Sequence, residues 1–122
     1  MMVLVAVDDL LFRSKIRTVA KQAGVDVTFA RTPEEILDQL RTRKPALAIF
    51  DLTSGQADPI ATVAAIKRDP AIASIRTVGF VSHVDAPTIH AARTAGADEI
   101  MARSTFAANL AEILLTDRTT KP

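Results

Sequence analysis

Short apolar runs alternate along the chain with longer stretches whose apolar positions recur at helical spacing. Met2 to Val7 is a nearly unbroken aliphatic and β-branched run, the pattern of a strand buried on both faces. Phe12, Ile16, Val19, Ala20 and Ala23 then share one helical stripe, and Gly24 stands where a left-handed C-cap would end it. Val25 to Ala30 predicts a second strand. Thr32-Pro33-Glu34-Glu35 is a helix start: Thr32 can cap, Pro33 suits the first turn, and Glu35 can complete a capping box. Ile36, Leu37 and Leu40 form the buried stripe of that helix.

Pro45 precedes the apolar run Ala46 to Phe50, which ends at Asp51. A polar loop, Leu52 to Pro59, leads to a helix predicted over Ile60 to Arg68 and broken at Asp69-Pro70. Thr77 to Val81 is a fourth strand ending at Ser82-His83. Pro87 opens an alanine-rich helix that Gly96 closes, Glu99 to Ala102 is a weak fifth strand, and Phe106, Leu110, Ile113 and Leu114 mark one last helix. Five strand–helix units predict an α/β fold, a parallel sheet with helices on both faces. Residues 1–116 are expected to form the domain, with 117–122 as a C-terminal tail.

Composition narrows the classes. A chain of 122 residues, 48% hydrophobic, suits one domain with a real core. Its 15 Lys and Arg against 14 Asp and Glu, with no basic run, argue against a dedicated nucleic-acid binder. The absence of cysteine excludes disulfides, thiolate metal sites and cysteine catalysis. No stretch approaches the roughly 20 apolar residues of a membrane span. Met1 to Val7 lacks the basic lead and cleavage site of a signal peptide. A soluble, cytoplasmic protein without membrane partners is expected.

In an open parallel sheet, functional groups gather at the carboxyl ends of the strands. Those positions hold Asp8 and Asp9 after the first strand, Asp51 after the third, Ser82 and His83 after the fourth, and Arg103 after the fifth. Three carboxylates at one edge would raise one another's pKa, and a hard dication such as Mg²⁺ relieves that repulsion. With Ser82 and Arg103 holding phosphoryl oxygens, the set describes a phosphoryl-accepting site with Asp51 as nucleophile. The alternatives fit less well. Asp51-Leu52-Thr53 lacks the second Asp of a haloacid-dehalogenase-type phosphatase, no Gly-rich loop follows the first strand, and no Ser-His-Asp order suggests a hydrolase.

From Met2 to about Leu115 the chain resembles the receiver domain of two-component response regulators. Asp51 matches the Asp that takes phosphate from a histidine kinase. Val7-Asp8-Asp9 matches the acidic pair that helps bind Mg²⁺, Thr53 the residue whose carbonyl completes the metal set, and Ser82 the hydroxyl that meets the phosphoryl group. Gly96-Ala97-Asp98 resembles the turn before the fifth strand. The resemblance implies a flavodoxin-like (βα)5 fold with strand order 2-1-3-4-5. It implies a signalling phosphoacceptor rather than an enzyme acting on free substrates. Its partners would be a histidine kinase or phosphotransfer protein, then an effector protein or a second copy.

Several positions depart from the family pattern. Arg103-Ser104 replaces the usual Lys-Pro, and Arg is a broader planar fork than Lys. Ser54-Gly55 replaces Met-Pro, His83 replaces a small residue, and Ile100 replaces the switch aromatic of the fifth strand. These departures motivate an alternative, a pseudo-receiver that binds proteins without phosphorylation. In it Arg103 would reach Asp51 directly and imitate a partly neutralised site.

Overall fold

The computed structural model describes residues 2–83 and 85–115, so the expected tail at 117–122 lies outside the described residues. In chain order the elements are β1 (Met2–Ala6), α1 (Leu10–Ala23), β2 (Asp26–Phe29), α2 (Pro33–Arg43), β3 (Leu47–Asp51), α3 (Pro59–Arg68), β4 (Arg76–Val81), α4 (Ala86–Ala95), β5 (Glu99–Ala102), α5 (Arg103–Ala108) and α6 (Leu110–Leu115). The five strands form one parallel sheet in the order β2-β1-β3-β4-β5. This is the flavodoxin-like arrangement expected from the sequence. Among the described residues no helix is long and apolar enough to cross a membrane.

Alternation along the central strands builds two cores. Val3, Val5, Leu47, Ile49, Val78 and Phe80 face α1, α5 and α6, where they meet Phe12, Ile16, Phe106, Leu110 and Leu114. Leu4, Ala6, Ala48 and Phe50 face the other way, against Ile36 and Leu40 of α2, Val63 and Ile66 of α3, and Ala92 of α4. Because both faces are covered, the central strands read in sequence as unbroken apolar runs.

The caps follow the local chemistry. Thr32 accepts from Glu35 N–H while the Glu35 side chain reaches back to the Thr32 N–H, a complete capping box. Gly24 ends α1 at φ 73° and Gly96 ends α4 at φ 109°, conformations that cost a residue with a Cβ. The single last helix expected from the sequence is instead two, α5 and α6, interrupted at Asn109. The Asn109 amide donates to the Thr105 carbonyl, and its backbone N–H is shared between Thr105 and Phe106. Local side-chain bonding of this kind competes with the regular ladder.

Candidate functional site

The sheet register sets the site. Ala6 pairs with Phe50, and Asp51 pairs with Phe80. The acids that follow β1 and the acid that ends β3 therefore stand at the same carboxyl edge. Asp51 shares its parity along β3 with Leu47 and Ile49, so it belongs to the α1–α5 side of the sheet.

Asp51 is 8% exposed. Its Oδ1 accepts from the Thr53 N–H at 3.0 Å and from the Thr53 hydroxyl at 2.7 Å. Among the described residues no donor reaches Oδ2, and this atom is not among the buried atoms left without a partner. One carboxylate oxygen is thus pinned by the turn and the other is uncommitted. Leu52, between them, donates its N–H to the Phe80 carbonyl, and its side chain lies directly over Gly79 of β4. A Cβ at position 79 would stand 2.8 Å from Leu52, so the glycine is what lets the loop after Asp51 pack this low.

The other two acids are engaged separately. Asp8 accepts from the Ser54 hydroxyl at 2.7 Å, a contact that ties the β1–α1 loop to the loop after Asp51. Asp9 is the N-cap of α1: Oδ1 accepts from Phe12 N–H at 3.1 Å. Its Oδ2 accepts from Arg103 at 2.9 Å. The Arg103 hydrogen bond, then that of Phe12, holds the Asp9 carboxyl below its ordinary value of 3.8. The expectation that crowded acids would raise one another's pKa is therefore reversed at Asp9. Among the described residues no three acidic or imidazole side chains are placed to hold a metal ion. Each carboxylate has a donor of its own: Ser54 for Asp8, Phe12 and Arg103 for Asp9, and Thr53 for Asp51.

Arg103 is the first residue of α5, immediately after β5. A proline at 104 would push residue 103 out of helical backbone, and Ser104 lets the helix begin there. The guanidinium carbon sits 4.4 Å over the centre of the Phe12 ring. Phe12 in turn meets Phe80 edge-on at 5.3 Å and Phe106 at 5.8 Å, and Phe80 stacks on Phe106 at 4.7 Å. The suggestion that Arg103 reaches Asp51 is corrected: its head is drawn to Asp9 because the Phe12 face lies one turn along α1 from that carboxylate.

Ser82 and His83 are exposed at the end of β4. They line a groove of about 360 Å³ with Ile89, Ile100 and Met101, and none of the three acids lines it. Ile100, in place of an aromatic, forms part of its wall. Sequence reasoning missed the Ser54–Asp8 bond and the aromatic seat under Arg103. The only prior signals were a hydroxyl three residues past Asp51 and the placement of Phe12 and Phe106 on helical stripes.

The profile of the response regulator receiver domain matches residues 3–115. The chain belongs to that family. No curated protein matches the sequence. Among solved structures, the phosphorylated cyanobacterial phytochrome response regulator RcpA is 18% identical. That match covers 99% of this chain and 96% of that one with a TM-score of 0.83. The Mn²⁺-bound form of response regulator Rcp1 is 15% identical, with coverages of 99% and 96% and a TM-score of 0.82. The signal receiver domain of a histidine kinase from Syntrophus aciditrophicus is 18% identical, with coverages of 99% and 94% and a TM-score of 0.80. At these identities the likeness concerns the fold. The receiver assignment, with two-component signalling as its setting, rests on the family match.

Proposed function

We propose that this receiver domain, residues 1–116, takes a phosphoryl group on Asp51 from a histidine kinase or phosphotransfer protein in the cytoplasm, with Mg²⁺ as cofactor. The observation that carries the reading is the state of Asp51: a carboxylate at the end of a central strand, one oxygen fixed by Thr53 and the other without a protein donor. Fixing Oδ1 orients Oδ2 for attack. The bond from Oδ2 to phosphorus forms as the phosphorus–nitrogen bond of the donor histidine breaks, and the imidazole leaves with the bonding pair. Ser82, and Arg103 once it leaves Asp9, would bind the phosphoryl oxygens.

The donor set suits the metal chemically. Asp9, Asp51 and the Thr53 carbonyl, with Asp8 acting through water, are all oxygen ligands of the kind Mg²⁺ takes. When bound, the ion would neutralise charge on the transferred group. Modification replaces the single negative charge of the carboxylate with the roughly two of an acyl phosphate, which an effector protein or a second copy would sense. Incubation with a small acyl-phosphate donor and Mg²⁺, followed by intact mass, tests the reading. Wild type gains one phosphoryl group and Asp51→Asn gains none. An unchanged wild-type mass, under conditions that load a control receiver, counts against it.

The Arg103–Asp9 pair favours a second reading, a module that binds its partner without phosphorylation. Under that reading the wild type stays unloaded, and Asp51→Asn binds the partner as wild type does.

A further inference from the structure

We infer that Arg103 is an internal counter-ion that competes with a dication for Asp9, so that metal binding and release of the β5–α5 junction are one coupled event. The inference rests on the receiver reading above and specifies how its metal site is regulated. Both oxygens of Asp9 are committed: one caps α1 through Phe12 N–H, and the other holds Arg103. A dication at the second oxygen would stand against the guanidinium, and the repulsion of two cations on one oxygen favours displacement of Arg103.

The pair is built to exchange rather than to lock. The Arg103 and Asp9 side chains are 34% and 40% exposed, so water and ions reach both. Arg103 also stands at the amino end of α5, where the aligned backbone dipoles disfavour a cation. Two contacts hold it there against that field, the Asp9 carboxylate and the Phe12 ring. The Asp9–Arg103 contact joins residues 94 positions apart, one at the start of α1 and one at the start of α5.

Displacement would therefore do more than vacate an oxygen. It uncovers the Phe12 face, and Phe12 packs on Phe106 of α5 and Phe80 of β4. Metal occupancy is reported to α5 through that cluster, on the side of the sheet away from the α3–α4 face. The released guanidinium is freed from Asp9 and Phe12, its two contacts at the start of α5. An ammonium at 103 would keep the charge but lose the planar fork and the stack on Phe12.

The test uses Mg²⁺ alone with the unphosphorylated protein. In wild type, the Arg103 Nε–Hε resonance and the Phe12 ring signals should move with the same midpoint as the Asp9 amide. By calorimetry, Arg103→Ala should bind Mg²⁺ about fivefold tighter than wild type, the scale set by one exposed charge pair. Arg103→Lys should fall between them. Arg93→Ala, which removes the same charge from α4, should bind as wild type does. Equal affinity of wild type and Arg103→Ala, or Arg103 signals that stay still while the Asp9 amide moves, overturns the inference and leaves the receiver reading standing. No Mg²⁺ binding by either protein, together with no phosphoryl loading of Asp51, overturns both. The resonance measurement needs no variant, so it holds even if a substitution disturbs folding.

Discussion

Asp98 and Asp51 are carboxylates at opposite edges of the same sheet, and their surroundings use them in opposite ways. Asp98, just before β5, has one oxygen that accepts from Lys67 of α3 at 3.1 Å, from Thr77 N–H at 2.8 Å and from the Thr77 hydroxyl at 3.2 Å. Its own N–H donates back to Thr77. Lys67 is equally engaged, donating also to the carbonyls of Ala73 and Ile75. Burial raises the Asp98 pKa, but the Thr77 and Lys67 hydrogen bonds outweigh it and leave the group below its ordinary value. Donors and acceptors here close on one another across three elements. At the carboxyl edge, Asp51 keeps an oxygen open, and Asp9 is paired with an exposed cation that another cation can replace. The donors on Asp98 come from α3 and β4 and tie those elements to the turn before β5, whereas those on Asp51 come only from Thr53 in its own turn.

The substitution with the largest expected effect attacks what both edges stand on. Phe80→Ala removes a ring that is fully buried between Phe12 and Phe106, and should cost about 3–5 kcal/mol in denaturant unfolding. It would also unseat Arg103, so it erases the contrast instead of separating the two edges. Asp98→Ala separates them. It strips an acceptor from the buried Thr77 and from Lys67, and should cost about 2 kcal/mol while leaving phosphoryl loading of Asp51 unchanged. Loss of loading by a folded Asp98→Ala protein would show that the two edges are not independent.

Gly79→Ala strains the carboxyl edge alone, by driving a methyl group against Leu52. It should cost about 1–2 kcal/mol and slow loading through the Asp51–Thr53 turn. The smallest effect is a titration. The folded pKa of Asp9 is lowered, so its stabilising contribution is present above the unfolded value near 3.8 and is lost as pH falls through the folded value. In Arg103→Gln the Asp9 carboxyl should titrate closer to 3.8, measured on its carboxyl carbon by NMR. An unmoved titration would mean that the Arg103 contact is not formed in solution.

Much of this architecture is legible in the residues because the physics is local. β-Branched runs such as Met2 to Val7 declare strands buried on both faces, and Thr32-Pro33-Glu34-Glu35 declares its own capping box. The positions of Asp8, Asp9, Asp51, Ser82 and Arg103 at strand ends follow from the same pattern. What those side chains touch does not. Arg103 could select either of two acids, and the choice depends on Phe12 lying beneath it, a contact made by tertiary packing. The rise in pKa expected of neighbouring carboxylates is reversed at Asp9 because Arg103 and the Phe12 N–H donate to it. The break at Asn109 escaped notice because the apolar stripe of Phe106, Leu110 and Ile113 runs straight through it.

The most direct measurement locates the acceptor itself. After treatment with an acyl phosphate and Mg²⁺, borohydride reduction followed by peptide mass mapping should find Asp51 converted and every other carboxylate intact. An unmodified Asp51 beside a loaded control receiver, or conversion at a different residue, would contradict the assignment of this carboxylate as the phosphoryl acceptor.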